Sequence, residues 1–217
     1  MISIITRCYN RLEYTIQVVN RVREMGGDYE HIIIDNASQD GTQEWFRWMV
    51  ANTNWYDKLK YYRFDTNLGD WTGMTEGLKY AKGDYIVQLD NDILVNDKSW
   101  LQDMVTVLTK TDYRSVMLKR SGALWVLGPR MGEPGTRGLI EGLDIIPVER
   151  SVACYMTTRK TFEMFATGVH NKNRSKYEIR RLIGNTAKII NRTCQECEYD
   201  IQRVKYSPKN KNIHAKL

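Results

Sequence analysis

The first half of the chain alternates short apolar runs with stretches in which apolar residues recur every three or four positions. The short runs predict buried strands, and the recurring positions predict amphipathic helices between them. Strand and helix follow one another about every 25–30 residues, a spacing typical of βαβ units and a parallel sheet. The predicted strands cover residues 2–5, 31–34, 59–64 and 85–89.

Residues typical of turns and helix ends lie between these elements. Asn10 and Glu13 are spaced almost as in a capping box at the start of the first helix. Gly83 is predicted to cap the C-terminus of the third helix. Either Asp97 or Ser99 is predicted to cap the helix that follows the fourth strand.

The regular alternation weakens after residue 115. A strand is predicted at 152–156 and a helix at about 161–165, whereas 128–142 contains five glycines and two prolines and is predicted to be a loop. The residues after Pro208 are basic and polar and are predicted to fray. We therefore predict a single α/β domain in three parts: residues 1–110, residues 111–207, and a basic tail, 208–217.

Composition and charge narrow the function classes. With 217 residues and 42% hydrophobic residues the chain is a globular domain, and it has no run of 18 apolar residues that would span a membrane. Residues 1–110 carry 12 basic and 16 acidic side chains, whereas residues 111–217 carry 20 and 10. The basic half predicts either a phosphate or an acidic lipid surface as partner, or only a solvated face. Nucleic acid is not predicted, because no nucleic-acid-binding motif accompanies the charge.

The cysteines predict a cytoplasmic protein. A lone C-x-x-C at 194–197 has no second pair and no histidine at zinc-finger spacing, so it lacks the four ligands of a zinc site. Reduced thiols are the state expected of the four cysteines, and the membrane contact considered for the basic half would then be peripheral.

Carboxylates stand where two of the predicted strands end. Asp35 ends the second strand, and Asp90 and Asp92 end the fourth. Ligands of open parallel sheets bind beyond the carboxyl ends of the strands. Two carboxylates so close together favour a divalent cation, Mg²⁺ or Mn²⁺, shared with a diphosphate. The alternative is that Asp92 caps a turn and Asp90 is solvated.

Four segments, taken in order, resemble the motifs of family 2 glycosyltransferases. They are the opening strand 3–11, the Asp and Ser-x-Asp-Gly-Thr segment 34–42, the Asn-x-Gly loop 67–69, and the approach to Asp-x-Asp at 83–92. The resemblance implies a GT-A fold, that is, a Rossmann-like, mostly parallel central sheet flanked by helices. It makes residues 1–110 the nucleotide-sugar half and residues 111–207 a less regular acceptor half. It also implies a nucleotide-diphosphate sugar, most simply a UDP-sugar, and Mn²⁺ or Mg²⁺.

The same resemblance implies roles for individual residues. Asp35 accepts a hydrogen bond from the nucleobase, Asp90 contacts the ribose or a metal-bound water, and Asp92 ligates the metal. The other residues implied to contact the donor are Thr6, Arg7, Tyr9, Asn67, Gly69 and Asn91.

Inverting transfer also needs a base that takes the proton of the acceptor hydroxyl. The family's acidic pair is absent at the expected distance from the Asp-x-Asp, and Glu149, Glu178 and Asp144 are the candidates. The sequence therefore predicts an inverting glycosyltransferase that acts on a glycan or a lipid-linked hydroxyl. The alternatives are a non-catalytic binding module of the same fold and a sugar nucleotidyltransferase, although residues 6–11 lack the glycine-rich loop that the latter needs.

Overall fold

The computed structural model describes residues 1–54, 57–121, 138–148, 153–167 and 186–197. The first half consists of seven elements and a short strand: β1 (Ile2–Cys8), α1 (Leu12–Met25), β2 (Tyr29–Asp35), α2 (Thr42–Asn52), β3 (Leu59–Arg63), α3 (Gly69–Tyr80), β4 (Tyr85–Asp90) and β5 (Ile93–Val95). The elements that follow are α4 (Trp100–Lys110), β6 (Ser115–Ser121), β7 (Gly138–Ile140), β8 (Leu143–Val148), β9 (Cys154–Thr158), α5 (Arg159–Thr167) and β10 (Thr186–Glu196).

The strands of the described residues form one sheet in the order β3-β2-β1-β4-β9-β6-β10-β8-β7, with β5 paired to β10 beside this path. The first four strands are parallel, and helices connect them. From β9 onward the sheet is mixed, because β9 is antiparallel to both β4 and β6 whereas β10 is parallel to β6. The predicted α/β class with a parallel first half and a less regular second half is confirmed.

Helices cover both faces of the parallel half, which explains why its central strands β1, β2 and β4 are largely buried and rich in apolar residues. Ile4 packs into a core with α1 and α4, whereas its neighbour Ile5 packs with Met74 of α3 and Phe162 of α5. A separate cluster under α2 contains Trp45, Phe46 and Met49. The four predicted strands of this half are confirmed, each extended or trimmed by three residues at most.

The predicted capping box at Asn10 is wrong. Arg11 occupies the N-cap of α1 in a left-handed conformation, and its side chain makes no cap hydrogen bond. Instead the backbone N–H of Leu12 donates to Asp40 Oδ2 over 2.7 Å, and the N–H of Gln39 donates to Asn10 Oδ1 over 2.9 Å. The first turn of α1 is therefore capped by the loop between β2 and α2.

The predicted cap at Gly83 is wrong as well, because α3 ends at Tyr80 with Ala81 as its C-cap. Gly83 serves a different purpose, since a Cβ at this position would lie 2.6 Å from the backbone nitrogen of Ser3 and 2.8 Å from the carbonyl oxygen of Met1. Only glycine lets the chain pass this close to β1.

Of the two residues proposed to cap the helix after the fourth strand, Ser99 stands at the N-cap of α4, but its side chain makes no cap hydrogen bond. Its hydroxyl donates to Asp103 Oδ2 instead. Asp97 accepts a hydrogen bond from the backbone N–H of Thr193 over 2.9 Å. The side chain of Asp97 thus contacts β10 rather than capping α4.

The second half contains strands that the sequence pattern does not predict: β6, β7, β8 and β10. Residues 138–142 of the predicted loop form β7 and a tight hairpin turn, in which Glu141 and Gly142 both have positive φ. The predicted strand at 152–156 lies two residues later, as β9, and the predicted helix at 161–165 is the longer α5. The rest of the predicted loop, 128–137, and the tail lie outside the described residues.

Candidate functional site

A cleft of about 350 Å³ opens at the carboxyl ends of β1, β2 and β4, the edge at which the sequence places the ligand. Five of the predicted donor-binding residues line this cleft together with three others. The predicted ones are Arg7, Tyr9, Asn67, Gly69 and Asn91, and the additional ones are Cys8, Arg11 and Asn36.

Glycines of α3 allow one wall of the cleft to lie close to the sheet. Gly73 and Gly77 face β1 and β2, and a Cβ at Gly77 would lie 2.7 Å from Ile5 Cγ2. A Cβ at Gly73 would lie 3.2 Å from the amide of Asn36 and 3.5 Å from Arg7 Cδ. The close approach of α3 therefore fixes two of the side chains that line the cleft.

Asn36 is a site residue that the sequence analysis did not assign. Its side chain is buried, its Nδ2 donates to the carbonyl oxygen of Gly69 over 3.2 Å, and its backbone N–H donates to the carbonyl of Cys8. Its Oδ1 accepts no hydrogen bond from the described part of the chain. A sequence feature that could have indicated this role is the position of Asn36 directly after Asp35, the last residue of β2.

Asp35 and Thr6 are buried next to Asn36 and Arg7, which line the cleft, and are not themselves lining residues. Asp35 is fully buried, and it accepts hydrogen bonds from the backbone N–H of Ser38 and the hydroxyl of Tyr61 while Arg63 Nε lies 3.6 Å away. Burial and this carboxylate together raise the pKa of Tyr61, so that its hydroxyl stays a donor. A direct contact of Asp35 with a nucleobase remains a prediction.

Thr6 is buried in the same way, and its Oγ1 lies 2.9 Å from Nε2 of the buried His31. A contact of Thr6 with the donor likewise remains a prediction.

Each of the two acids after β4 is paired with an arginine. Arg7 Nη2 lies 3.0 Å from Asp90 Oδ1, with the two side chains 6% and 26% exposed. Arg11 Nη1 lies 3.1 Å from Asp92 Oδ2, with the two side chains 60% and 32% exposed. Burial raises the pKa of Asp92 and the charge of Asp90 raises it further, whereas Arg11 and Arg120 act in the opposite direction. The two carboxylates are thus close enough to repel each other, and the arginines offset that repulsion.

Polar and apolar groups complete the mouth of the cleft. Asn91 donates from Nδ2 to Thr15 Oγ1 over 3.1 Å, which holds the residue between the two acids against α1. Asn67 Oδ1 accepts a hydrogen bond from the backbone N–H of Gly69, which has a φ of 78°. Tyr9 and Leu68 are exposed at the rim and offer apolar surface there.

Of the three candidate bases, the structure describes only Asp144. Glu149 and Glu178 lie outside the described ranges. Asp144 lies in β8, which four strands separate from β1 in the sheet, and its backbone N–H donates to Asn191 Oδ1. Asp144 is not among the residues that line the cleft.

Three further properties concern metals, thiols and membranes. Within the described ranges no three His, Cys, Asp or Glu side chains converge as a cage for a metal ion. All four cysteines are free and buried, and burial raises the pKa of the Cys194 and Cys197 thiols to about 12. Among the helices in the described part of the chain, none has the length and apolar character needed to cross a bilayer.

Comparison with known proteins gives matches in sequence and in structure. A family model described as Glycosyl transferase family 2 matches residues 3–144. Glycosyltransferase AglE of Haloferax volcanii is 28% identical over 113 residues, which are 51% of this chain and 36% of AglE. The chain thus spans little more than a third of that relative.

Two solved structures share the fold at low sequence identity. The crystal structure of S. aureus TarS 1–349 in complex with UDP-GlcNAc matches with a TM-score of 0.64 and 15% identity, covering 95% of this chain and 61% of the other. The mannosyltransferase PcManGT from Pyrobaculum calidifontis, in complex with GDP-Man and Mn²⁺, matches with a TM-score of 0.66 and 16% identity, covering 94% and 58%. The chain therefore spans about three fifths of each of these structures.

Proposed function

Because this chain belongs to glycosyl transferase family 2, we propose that it transfers a sugar from a nucleotide-diphosphate sugar to a hydroxyl of a glycan or a lipid-linked acceptor. The observation that carries the proposal is the cleft itself. It lies at the carboxyl ends of β1, β2 and β4, and the Asp90 and Asp92 carboxylates stand beside it. A UDP-sugar is the donor proposed first, and the UDP-GlcNAc bound to TarS supports this choice.

The amide of Asn36 is proposed to contact the nucleobase. A buried polar atom without a partner is costly, and a ligand that supplies the missing hydrogen bond recovers that cost. Asn36 Oδ1 is such an atom, and Asn36 is one of the residues that line the cleft. A uracil ring offers both an N–H donor and carbonyl acceptors, so it suits an amide in either orientation.

The acids after β4 suit a divalent cation. Asp90 and Asp92 are oxygen donors of the kind that Mg²⁺ and Mn²⁺ prefer. A cation would relieve the repulsion between them, which adds to the effect of burial in raising the pKa of Asp92. We assign direct ligation to Asp92, and contact with the ribose or with a metal-bound water to Asp90. A cation held there supplies Lewis-acid assistance to the leaving diphosphate. The Mn²⁺ in the PcManGT complex supports this assignment.

Other residues of the chain are proposed to bind the donor and to take the proton of the acceptor. Arg7 and Arg11 bring positive charge to the cleft, where a diphosphate would otherwise face only the two acids. Tyr9, exposed at the rim, offers a ring face to the base or the sugar. Glu149 and Glu178 are proposed as alternative bases that take the acceptor proton in an inverting displacement.

The second candidate is a non-catalytic nucleotide-sugar-binding module. It is favoured by one observation, namely that the described residues lining the cleft include no carboxylate. Binding without turnover would identify this alternative.

The test measures release of nucleoside diphosphate from UDP-sugars and GDP-mannose, with Mn²⁺ or with chelator, and the binding of each donor by calorimetry. We expect one donor to bind in the presence of Mn²⁺ and to be turned over. Asp92→Asn should lose turnover by about 100-fold or more, as expected when a charge-stabilising group is removed. The matched control, Asp57→Asn, changes an exposed aspartate of the α2–β3 connection and should behave as the wild type.

The base is tested with Glu149→Gln and Glu178→Gln. Loss of a general base lowers kcat by about 10²–10⁴-fold while donor affinity is kept. Tight donor binding without turnover in the wild type would leave the binding module as the function. If no nucleotide sugar binds at all, both candidates are excluded.

A further inference from the structure

The two arginines that pair with the acids differ in their freedom to move. Arg7 is almost completely buried, and the close approach of α3 at Gly73 confines its side chain next to Asp90. Arg11 is mostly exposed and lines the cleft, and its partner Asp92 is also partly exposed. Arg7 is therefore a fixed partner of Asp90, whereas the guanidinium of Arg11 can leave Asp92 without any rearrangement of the core.

The backbone holds Arg11 at the mouth of the cleft. Asn10 and Arg11 have φ values of 56° and 61°, which non-glycine residues rarely adopt. The N–H of Asn10 donates to Ser38 Oγ over 2.8 Å, and the carboxylate of Asp40 accepts from the residue after Arg11. These contacts hold the backbone of Arg11 in place, so that only its side chain can move from one partner to another.

The charges around Asp90 and Asp92 explain why the partner of the Arg11 guanidinium affects ligand binding. Two carboxylates and two guanidinium groups balance one another, so a divalent cation that enters alone brings two uncompensated positive charges. A diphosphate that enters alone brings uncompensated negative charge. If the cation and a diphosphate diester enter together, their charges cancel and the site is neutral again. One guanidinium can then turn from its carboxylate to the diphosphate, because the cation compensates the carboxylate that it leaves.

We propose that Arg11 exchanges partners, from Asp92 to the diphosphate of the donor, and that this exchange couples the binding of the cation to the binding of the nucleotide. This inference rests on the proposed function. A guanidinium is suited to both partners, since its planar N–H groups pair with carboxylates and with phosphates alike. The positive charge of Arg11 beside Asp92 repels a cation that ligates the same carboxylate, so each ligand favours the arrangement that the other needs.

The experiment measures the affinity for Mn²⁺ from the electron paramagnetic resonance signal of the free ion, with and without UDP. The affinity for UDP, with and without Mn²⁺, is measured by calorimetry. In Arg11→Asn the guanidinium is removed and replaced by a residue that tolerates the left-handed backbone. Arg11→Lys keeps the charge without the planar group, and Arg47→Asn, on the exposed face of α2, is the matched control.

For the wild type we expect each ligand to tighten the other's binding by about 5-fold or more, equally in both directions. Arg11→Asn should tighten Mn²⁺ binding in the absence of UDP by about 5-fold, because Asp92 is released, and weaken UDP binding at saturating Mn²⁺ by about 10-fold. Arg11→Lys should lie between, and Arg47→Asn should match the wild type.

The opposite signs separate exchange from a structural role, which would weaken both ligands in Arg11→Asn. The proposal is overturned if Mn²⁺ binds to Arg11→Asn without UDP as weakly as to the wild type or more weakly, while Arg11→Lys shows that the loop is intact. A wild type that binds no nucleotide contradicts the proposed function itself. A wild type that binds UDP and Mn²⁺ independently of each other contradicts only the exchange.

Discussion

The buried histidine of β2, His31, makes the stability of this protein depend on pH in a predictable direction. His31 lies in β2 with its ring covered on all sides, and burial lowers its pKa from 6.5 to about 3. Between pH 7 and pH 5 the folded protein therefore keeps His31 neutral, whereas the unfolded chain takes up a proton there. Because the unfolded state binds more protons, the free energy of unfolding falls as the pH is lowered.

The magnitude follows from the two pKa values. A pH of 5 lies about 1.5 units below the pKa of 6.5 that the histidine has in the unfolded chain, and each unit corresponds to about 1.4 kcal/mol. Acidification from pH 7 to pH 5 should thus cost about 2 kcal/mol of stability through His31 alone. The loss continues until the pH reaches the folded pKa of about 3.

The assay is urea unfolding of the wild type and of His31→Gln at both pH values. Burial raises the pKa of Glu30, but hydrogen bonds from Lys60 and Ser3 lower it by more, so this carboxyl titrates below the chosen window. The other two histidines of the chain are present in both proteins and cancel in the difference. We expect the wild type to lose about 2 kcal/mol more than His31→Gln between the two pH values. Equal losses would refute the reasoning, because they would mean that His31 is accessible to protons in the folded state.

Three substitutions test close contacts in the parallel half of the sheet. Gly83→Ala places a Cβ 2.6 Å from a backbone nitrogen of β1 and should lower the free energy of unfolding by about 3 kcal/mol in urea; a loss under about 1 kcal/mol would contradict the close approach. Gly73→Ala gains up to about 1 kcal/mol of helix propensity and presses on the amide of Asn36, so we expect near-native stability with about 10-fold weaker UDP binding by calorimetry. Unchanged UDP affinity would exclude Asn36 from the nucleotide site. Tyr61→Phe removes a hydrogen bond from the buried Asp35 carboxylate and should cost about 1–3 kcal/mol in urea, and a neutral result would mean that another donor takes its place.

The sequence predicts the parallel half of the sheet well, because its central strands β1, β2 and β4 are largely buried. Residues 32–34, for example, form an uninterrupted apolar run that ends at Asp35, and the strand ends there too. The helix ends are predicted less well. The donors at the start of α1 are satisfied by Asp40, about 28 residues away along the chain, and no local pattern indicates such a partner.

The mixed half of the sheet lacks a comparable local signal. β6 and β10 carry charged and polar residues within the strand, and their pairing joins residues 115–121 to residues 186–195. The stability of such strands comes from partners distant in sequence rather than from the intrinsic pattern of each strand. The same reasoning applies to the site. A carboxylate that follows an apolar run is visible in the sequence, whereas the pairing of Arg11 with Asp92 arises only when α1 and β4 are assembled.

The acidic turn after β4 depends on the far end of the chain. The backbone N–H of Cys197 donates to the carbonyl oxygen of Asp92 over 2.8 Å, and the N–H of Asn96 donates to the carbonyl oxygen of Thr193. Asp97, the next residue, accepts from the N–H of Thr193, so that β10 holds the turn at both ends of β5. Thr193 of β10 and Cys197, which directly follows that strand, lie beyond the part that matches the family model, residues 3–144. The matched segment thus supplies Asp90 and Asp92. The strand β10, which holds the backbone between these two residues and α4 in place, lies outside the matched segment. Changes in β10 should therefore alter the placement of Asp92 without contacting the cleft.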